Sequence, residues 1–250
     1  MAASTAAIAQ DTRLPAPLVY LRDVDATIVQ DMRYATASNF TGRVVPGYEA
    51  PECILASVAA QALARVQHDL QARQLSLKVY DCYRPRRAVV ALTAWARDPR
   101  ETPETKRYHP RIPKPQLMSH GYIAGHSEHS RGIAVDLTLM SATAPSPRAR
   151  DEVLVYGDCH APRPQPAPDG SLDMGTDYDC FDLSSHTRAP GLSPAQREAR
   201  RTLVESMAWH GFRNYSREWW HYRFAGAADG PSFDVPVRSR PLSSRPERVR

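Results

Sequence analysis

The feature that most constrains the fold is a change of hydrophobic period at residue 75. Across residues 55–74 the apolar side chains recur with the 3.6-residue period of an amphipathic helix. Directly afterwards, Leu75, Leu77 and Val79 alternate with other residues, as they do in a strand. Because an amphipathic helix must bury its apolar stripe, this helix is expected to pack against a sheet that contains the following strand.

Other segments continue the mixture of helical and strand patterns. Pro85 suits the first residue of a second helix that extends to Ala96. Ser193 and Gln196 form a capping box that predicts the start of another long helix, and Gly211 predicts its end. The helices and strands do not follow a regular βαβ alternation. We therefore expect one α+β domain with a central, mainly antiparallel sheet flanked by helices.

Two later strands are predicted from shorter patterns. Residues 132–139 place alternate apolar side chains on one face and Asp136 on the other. Residues 219–224 are rich in aromatic side chains, which favour strands.

The remaining segments are rich in proline or in small residues. Residues 102–116 are predicted to be an irregular connection, and residues 144–173 an insertion-like loop with a short strand at 153–156. The expected organisation is a flexible N-terminal segment at 1–24, a folded domain at 25–237 and a disordered arginine-rich tail at 238–250.

The net charge of +5 is concentrated in the predicted tail. Five arginines and one glutamate in residues 238–250 account for most of it, so the rest of the chain is nearly neutral. Binding of nucleic acid is a hypothesis that the basic tail alone supports, and we do not expect it of the folded domain. No apolar run approaches the roughly 18 residues of a transmembrane helix, so no membrane span is expected. The oligomeric state stays open.

The four cysteines show no CxxC spacing, which argues against a zinc-thiolate site. Cys159 and Cys180 bracket a proline-rich stretch and either form a disulfide or remain buried thiols. Residues 7–9 resemble the small-residue end of a secretory signal, but no basic and apolar region precedes them. Periplasmic and cytoplasmic locations therefore both remain open.

Two segments, 127–136 and 218–221, contain the side chains best suited to metal binding and catalysis. His129, Asp136 and His221 together offer two imidazoles and one carboxylate, a typical catalytic zinc set that leaves one coordination position open. His126, three residues before His129, keeps the choice of ligand open on spacing alone.

Glu218 lies three residues before His221 and suits a proton acceptor beside a metal. A zinc-bound water, whose pKa falls to about 7, would be the group that it deprotonates. On a straight strand, side chains three residues apart point to opposite faces. This role therefore requires a turn or a bulge between Glu218 and His221.

Taken together, these segments resemble the zinc D-Ala-D-Ala peptidases, and more closely the VanX-type D-alanyl-D-alanine dipeptidases. The motif that carries the resemblance is Ser127-x-His129-x-x-Gly132-x-Ala134-x-Asp136 with Glu218-x-x-His221. Four further segments match the subgroup: Tyr34-Ala35-Thr36 with Asn39-Phe40-Thr41-Gly42, Tyr83-Arg84-Pro85-x-Arg87-Ala88-Val89, Met174-Gly175-Thr176-x-Tyr178-Asp179, and Ser185-His186.

The resemblance implies a single-domain α+β fold with one Zn²⁺ per chain, bound at the sheet. The implied reaction is hydrolysis of the D-Ala-D-Ala dipeptide to two D-Ala. His129, Asp136 and His221 would be the ligands, and Glu218 the catalytic base.

Four further roles follow from the resemblance. Arg84 would polarise the scissile carbonyl, and Asp179 would pair with the free ammonium of the dipeptide. Ser127 and Tyr34 would line the substrate pocket. Cys82 departs from the pattern, because the family usually has a small residue such as glycine there.

Two alternatives remain open at this point. A D,D- or L,D-carboxypeptidase acting on longer peptidoglycan stem peptides would use the same zinc set. A non-enzymatic cell-wall-binding module would use the metal only structurally.

Overall fold

The computed structural model describes residues 14–143, 157–162, 170–227 and 230–240. The strand predicted at 153–156 and most of the proline-rich loop lie outside these residues, as do the signal-like residues 7–9. Within the described ranges, no helix combines the length and the apolar character needed to cross a membrane.

Seven strands and five helices form the described part of the chain, joined by short 3₁₀ turns. The strands are β1 (Leu18–Tyr20), β2 (Val29–Gln30), β3 (Ile54–Ala56), β4 (Leu75–Asp81), β5 (Ala134–Ser141), β6 (Phe212–Asn214) and β7 (His221–Phe224). The helices are α1 (Leu21–Val24), α2 (Ser57–Gln71), α3 (Arg86–Arg97), α4 (Pro103–Lys106) and α5 (Pro194–Trp209).

Five of the strands form the central sheet, in the order β2-β4-β5-β7-β6. Strand β2 runs parallel to β4, and every other neighbouring pair is antiparallel. A separate antiparallel pair joins β1 to β3. The expectation of an α+β domain with a mainly antiparallel central sheet is therefore confirmed.

Helices α2 and α5 cover one face of the central sheet. Their apolar stripes, including Leu63 and Leu203, pack with Leu77 and Val79 of β4 and with Val135 of β5 in one buried cluster. Because side chains alternate along a strand, the residues between these point to the opposite face. That second face carries Asp136. Asp81, two residues after Val79, also lies there because the register of β4 against β5 shifts between these two residues. The second face is turned toward another core that is rich in aromatic residues.

The predicted helices are present, with shifted ends. The period over residues 55–74 corresponds to the end of β3 followed by α2, and Pro85 is the N-cap of α3 instead of its first residue. The capping box of Ser193 and Gln196 starts α5 as predicted, and Gly211 follows its C-terminus with a φ of 87°.

The strand predicted at 219–224 is shorter than expected. Strand β7 begins only at His221, because the chain makes a turn through Trp219 and Trp220. The connection at 102–116 contains the single-turn helix α4, whose Thr102 and Thr105 form a capping box.

The domain boundaries expected at both ends need correction. Residues 14–24 are packed rather than flexible, since β1 pairs with β3 and Leu18 and Leu21 are buried. At the other end, Arg238 contacts Glu49 and Arg240 contacts Asp23. Residues 1–13 and 241–250 lie outside the described part of the chain.

All four cysteines form disulfides. Cys159 pairs with Cys180, one of the two states considered for them, and Cys53 pairs with Cys82. The Cys53–Cys82 bond joins residues 29 positions apart and was not predicted from the sequence.

Candidate metal and catalytic site

The sheet register places three polar residues side by side on neighbouring strands. Asp136 of β5 lies directly opposite Asp81 of β4 on one side and His221 of β7 on the other. Directly opposed residues have their Cβ atoms about 5 Å apart and point to the same face. The ladder therefore brings Asp136 and His221 together although 85 positions separate them in the chain.

His129 reaches the same place from a 3₁₀ turn, Glu128–Arg131, that precedes β5. The Ser127 side chain caps this turn by accepting a hydrogen bond from the His129 amide at 3.3 Å. Gly132 ends the turn with a φ of 71°, and a Cβ there would lie 2.6 Å from the Leu18 side chain. A glycine is thus required both for the backbone conformation and for the close contact.

The three predicted ligands present their atoms as a compact triangle. His129 Nε2 lies 3.2 Å from His221 Nδ1 and 3.3 Å from Asp136 Oδ1, and His221 Nδ1 lies 3.0 Å from the same carboxylate oxygen. A tetrahedral zinc with bonds of about 2.0–2.1 Å separates its ligand atoms by about 3.3 Å. The residues present therefore fit a zinc ion. In the described chain, this is the one group of His, Cys, Asp or Glu residues close enough to hold a metal.

Hydrogen bonds to the outer atoms fix the orientation of these ligands. His129 Nδ1 donates to the Cys82 carbonyl at 2.6 Å, which leaves Nε2 facing the triangle. The Tyr178 hydroxyl donates to Asp136 Oδ2 at 3.1 Å, on the side away from the imidazoles. Such outer contacts set the tautomer and the direction of metal ligands.

The buried surroundings also set the protonation states of the ligands. Burial lowers the pKa of His221, which favours the neutral imidazole that binds metals. Burial alone would raise the pKa of Asp136, but the adjacent His129 and His221 outweigh it and hold this pKa below its ordinary value. Both groups are therefore in the forms that a cation requires.

Glu218 lies beside the triangle without being part of it. Its Oε2 is 3.9 Å from His221 Nδ1, and the His221 amide donates to the Glu218 carbonyl at 3.3 Å. This turn supplies the reversal of direction that the three-residue spacing required. Burial, followed by the negative charges of Asp136 and Asp179, raises the pKa of Glu218 well above its ordinary value.

Arg84 approaches the triangle from the loop after β4. Its Nε donates to Asp81 Oδ2 at 2.9 Å, one terminal nitrogen lies 3.5 Å from Asp136 Oδ2, and the guanidinium stacks over the ring of Tyr34. Asp81 is itself fully buried and accepts a hydrogen bond from the Tyr48 hydroxyl at 2.6 Å. The guanidinium is thereby held in one orientation.

Asp179 is also buried and is connected to Arg84 through Tyr34, which contacts both residues. It adopts a left-handed backbone conformation with a φ of 58°, and the Tyr34 hydroxyl donates to its Oδ2 at 2.9 Å. Burial and the charge of Asp136 raise the pKa of Asp179 well above its ordinary value. This carboxyl group therefore lacks a full counter-charge, a situation that a bound cation would relieve.

The structure places two further candidate residues, His126 and Ser127, outside the ligand triangle. His126, the competing ligand, is exposed and lies outside the triangle. Ser127 caps the turn of His129 and also lines a surface cavity together with Arg86 and Ser130.

Sequence reasoning missed the outer contacts of the site. Asp81, Tyr178 and the Cys82 carbonyl each hold a predicted site residue, and Tyr48 in turn holds Asp81. The position of Asp81 at the end of a strand and the Tyr178-Asp179 dipeptide were visible signals for two of them. Tyr48 and Cys82 depend on contacts between distant segments that local patterns do not contain.

Comparison with known proteins connects this geometry to one family. A family described as D-Ala-D-Ala dipeptidase matches residues 15–145 and 169–238. A D-alanyl-D-alanine dipeptidase of Enterococcus faecalis is 35% identical over 193 residues, covering 77% of this chain and 84% of the relative. One of Enterococcus faecium is 33% identical over 88% of this chain and 97% of the relative. One of Streptomyces coelicolor is 34% identical over 83% and 91%, respectively.

Proposed function

Since the chain belongs to the D-Ala-D-Ala dipeptidase family, we propose that it is a zinc-dependent hydrolase that cleaves D-Ala-D-Ala into two D-Ala. The observation that carries the proposal is the triangle of His129, Asp136 and His221 with the buried Glu218 next to it. Three ligands with a nearby free carboxylate are the arrangement of a catalytic metal site, not of a closed structural one.

His129, Asp136 and His221 would hold the ion. When bound, Zn²⁺ polarises a carbonyl oxygen and lowers the pKa of water toward neutrality. Tyr178 and the Cys82 carbonyl keep the ligand atoms directed inward. Because two imidazoles and one carboxylate carry a single negative charge, the ion keeps a net positive charge in the site.

Glu218 takes the role of general base. Its carboxylate accepts a proton from the attacking water and passes it to the leaving amine nitrogen, so that one group acts in both half-steps. The raised pKa suits this exchange, since a proton acceptor works best when its pKa is near the working pH.

Arg84 and Asp179 bind the two polar regions of the substrate. The Arg84 guanidinium, kept in place by Asp81, stabilises the negative charge that develops on the scissile carbonyl oxygen. The carboxyl group of Asp179 pairs with the free ammonium of the dipeptide, with Tyr34 orienting it. A buried carboxylate in this position favours substrates that end in an amine close to the cleaved bond.

A substrate panel tests the proposal. Purified protein loaded with zinc is incubated with D-Ala-D-Ala, with L-Ala-L-Ala and with a pentapeptide stem ending in D-Ala-D-Ala, and the free alanine of either configuration is measured. We expect rapid release from the D,D-dipeptide and little from the other two. Faster cleavage of the stem would replace the proposal with the carboxypeptidase alternative. No hydrolysis of any member by the zinc-loaded protein would refute it.

A further inference from the structure

One disulfide of the chain lies directly behind the candidate metal site. Cys53 and Cys82 are both fully buried, and their bond joins the residue before β3 to the residue after β4. Cys82 thus stands at the point where β4 ends and the chain turns toward Arg84. The proposed reaction does not use this bond directly.

The Cys82 carbonyl is the nearer of two outer partners of His129 Nδ1, since Asp81 Oδ2 lies 3.4 Å from the same nitrogen. The carbonyl accepts the hydrogen bond from His129 Nδ1 at 2.6 Å. Two residues later, the Arg84 amide donates to the His129 carbonyl at 3.2 Å. The segment from Cys82 to Arg84 therefore contacts His129 through both its ring and its backbone, and any movement of this segment would move the ring.

Cys53 is anchored on the other side of the bond. Its amide donates to the Gln30 side chain at 2.9 Å, and its carbonyl accepts from the Leu21 amide at 2.9 Å. The neighbouring strand β3 continues the connection, since the Ala56 amide donates to the Gly132 carbonyl at 2.7 Å. The His129 turn is thus held by this layer at Gly132 and, through the disulfide, at Cys82.

The β4–β5 ladder alone does not define the position of Cys82. The register of this ladder shifts between Val79 and Asp81, and Cys82 lies beyond its last pair. Apart from the disulfide, the nearest tie to β3 is one hydrogen bond, from the Tyr83 amide to the Ile54 carbonyl at 2.8 Å. A covalent bond at Cys82 restricts the segment much more strongly than this single contact.

We propose that the Cys53–Cys82 disulfide is a positioning element of the metal site, and that the affinity of the protein for zinc depends on it. The bond fixes the Cys82 carbonyl, which in turn holds His129 in the tautomer and orientation that direct Nε2 toward the ion. Loss of such an outer contact lowers metal affinity by about 10- to 100-fold in comparable sites. The inference rests on the proposed function, because it takes zinc to be the bound metal.

The second disulfide provides a matched control. Cys159 and Cys180 close a loop of similar length, with a separation of 21 residues compared with 29. The backbone partners of this pair include Arg107 and Asp177, and within the described residues none of its hydrogen bonds involves a ligand of the triangle. Its removal tests the general effect of losing a buried disulfide.

The experiment compares zinc affinity in three full-length proteins: wild type, C53A/C82A and C159A/C180A. Each is freed of metal, checked for folding by circular dichroism, and titrated with zinc against a chromophoric chelator. We expect the zinc dissociation constant to rise at least about 10-fold in C53A/C82A and to stay near the wild-type value in C159A/C180A. An unchanged constant in C53A/C82A, or an equal rise in both variants, would overturn the proposal.

A second measurement applies if C53A/C82A does not fold. The remaining disulfide of C159A/C180A is then reduced with a phosphine. The phosphine takes up the oxygen of one water molecule and becomes its oxide, while the disulfide takes up two electrons from the phosphine and two protons from that water. The phosphine is removed before titration, and the oxidised and reduced forms of the same chain are compared. A zinc dissociation constant at least about 10-fold higher in the reduced form would support the proposal, and an unchanged constant would overturn it. Failure of wild type to bind zinc would instead refute the proposed function, so the two failures are distinguishable.

Discussion

At the scale of single residues, the neighbours of each buried carboxyl group determine its pKa. Glu218 and Asp179 are carboxyl groups buried near a third, Asp136, and of these three only Asp136 lies within 3.3 Å of both imidazoles. The sequence motifs predicted which side chains meet here. They did not predict that a tyrosine hydroxyl would hold each of two carboxylates, Tyr178 for Asp136 and Tyr34 for Asp179. Those contacts join segments 42 and 145 residues apart, beyond the range of any local pattern.

Replacement of Glu218 by glutamine should separate metal binding from catalysis. Glutamine keeps the size of the side chain but cannot accept the proton, so we expect kcat to fall by about 10²- to 10⁴-fold while zinc still binds one to one. D-Ala release and metal analysis measure the two properties. The matched control is Glu128→Gln, which changes a partly exposed carboxylate next to His129. Near-normal turnover in Glu218→Gln would remove this residue from the role of base.

Replacement of Tyr178 by phenylalanine should weaken metal binding. The variant loses the hydrogen bond to Asp136 Oδ2 and leaves a buried carboxylate oxygen with one donor fewer. We expect zinc affinity to fall by about 10-fold or more, as measured by chelator competition. Tyr222→Phe is the control, because the Tyr222 hydroxyl is buried on β7 without a hydrogen-bond partner in the described chain. Equal affinities in the two variants would contradict the role of Tyr178.

At the scale of elements, helix α5 supports the segment that carries Asp179. Arg200 of this helix is almost fully buried, and its guanidinium donates to the backbone carbonyls of Met174, Ser184 and His186 at 2.6–3.0 Å. Burial lowers the pKa of Arg200 to about 10, so the side chain still carries its charge at neutral pH. The capping box predicted where α5 begins, but the amphipathic pattern could not show that a charged residue on it faces inward.

Replacement of Arg200 by methionine should destabilise this segment. The change leaves three buried carbonyls without their donor, and hydrogen bonds to a charged group contribute about 1.5–3 kcal/mol each. We expect the free energy of unfolding to fall by at least about 3 kcal/mol and KM for the dipeptide to rise, as measured by denaturant unfolding and by kinetics. The adjacent Arg201→Met alters only exposed ion pairs with Glu198 and Glu205 and should leave the free energy of unfolding almost unchanged. Similar losses in both variants would contradict the supporting role of Arg200.

The elements that the sequence predicted least well are the short ones. Strands β1, β2, β3 and β6 have two or three residues each, too few to show a period. Strands β2 and β6 pair with longer strands, whereas β1 and β3 pair with each other. Their positions depend on contacts between distant segments, which is why β1 was not predicted and residues 14–24 were expected to be flexible. The long segments α2, β4, β5 and α5 contain enough residues for their patterns to be recognised.

For the molecule as a whole, the buried carboxyl groups make stability depend on pH. A carboxyl whose pKa is raised by folding binds more protons in the folded state, so the free energy of unfolding falls as pH rises above its unfolded pKa. Glu218 and Asp179 both belong to this class. His221, whose pKa is lowered by folding, acts in the opposite direction, but only below its unfolded pKa of about 6.5.

Zinc-free protein should therefore lose stability between pH 6.5 and pH 8. The expected decrease is up to about 1.4 kcal/mol per pH unit for each raised carboxyl that remains protonated, as measured by denaturant unfolding at several pH values. Glu218→Gln should have a shallower dependence, since one of the buried carboxyl groups with a raised pKa is gone. Zinc should restore stability, and more strongly at the higher pH, because the ligands bind it in their deprotonated forms. A zinc-free protein with equal stability across this range would contradict the expectation.

The order of Asp81, Asp136 and His221 across β4, β5 and β7 has a further consequence for refolding. A slip of one residue in either pairing would send Asp136 or His221 to the face occupied by the apolar core. Only chains with both pairings correct can then assemble the three ligand atoms. Under the proposed function, the zinc content of a refolded sample should therefore report the fraction of molecules in which β4, β5 and β7 are paired in the correct register.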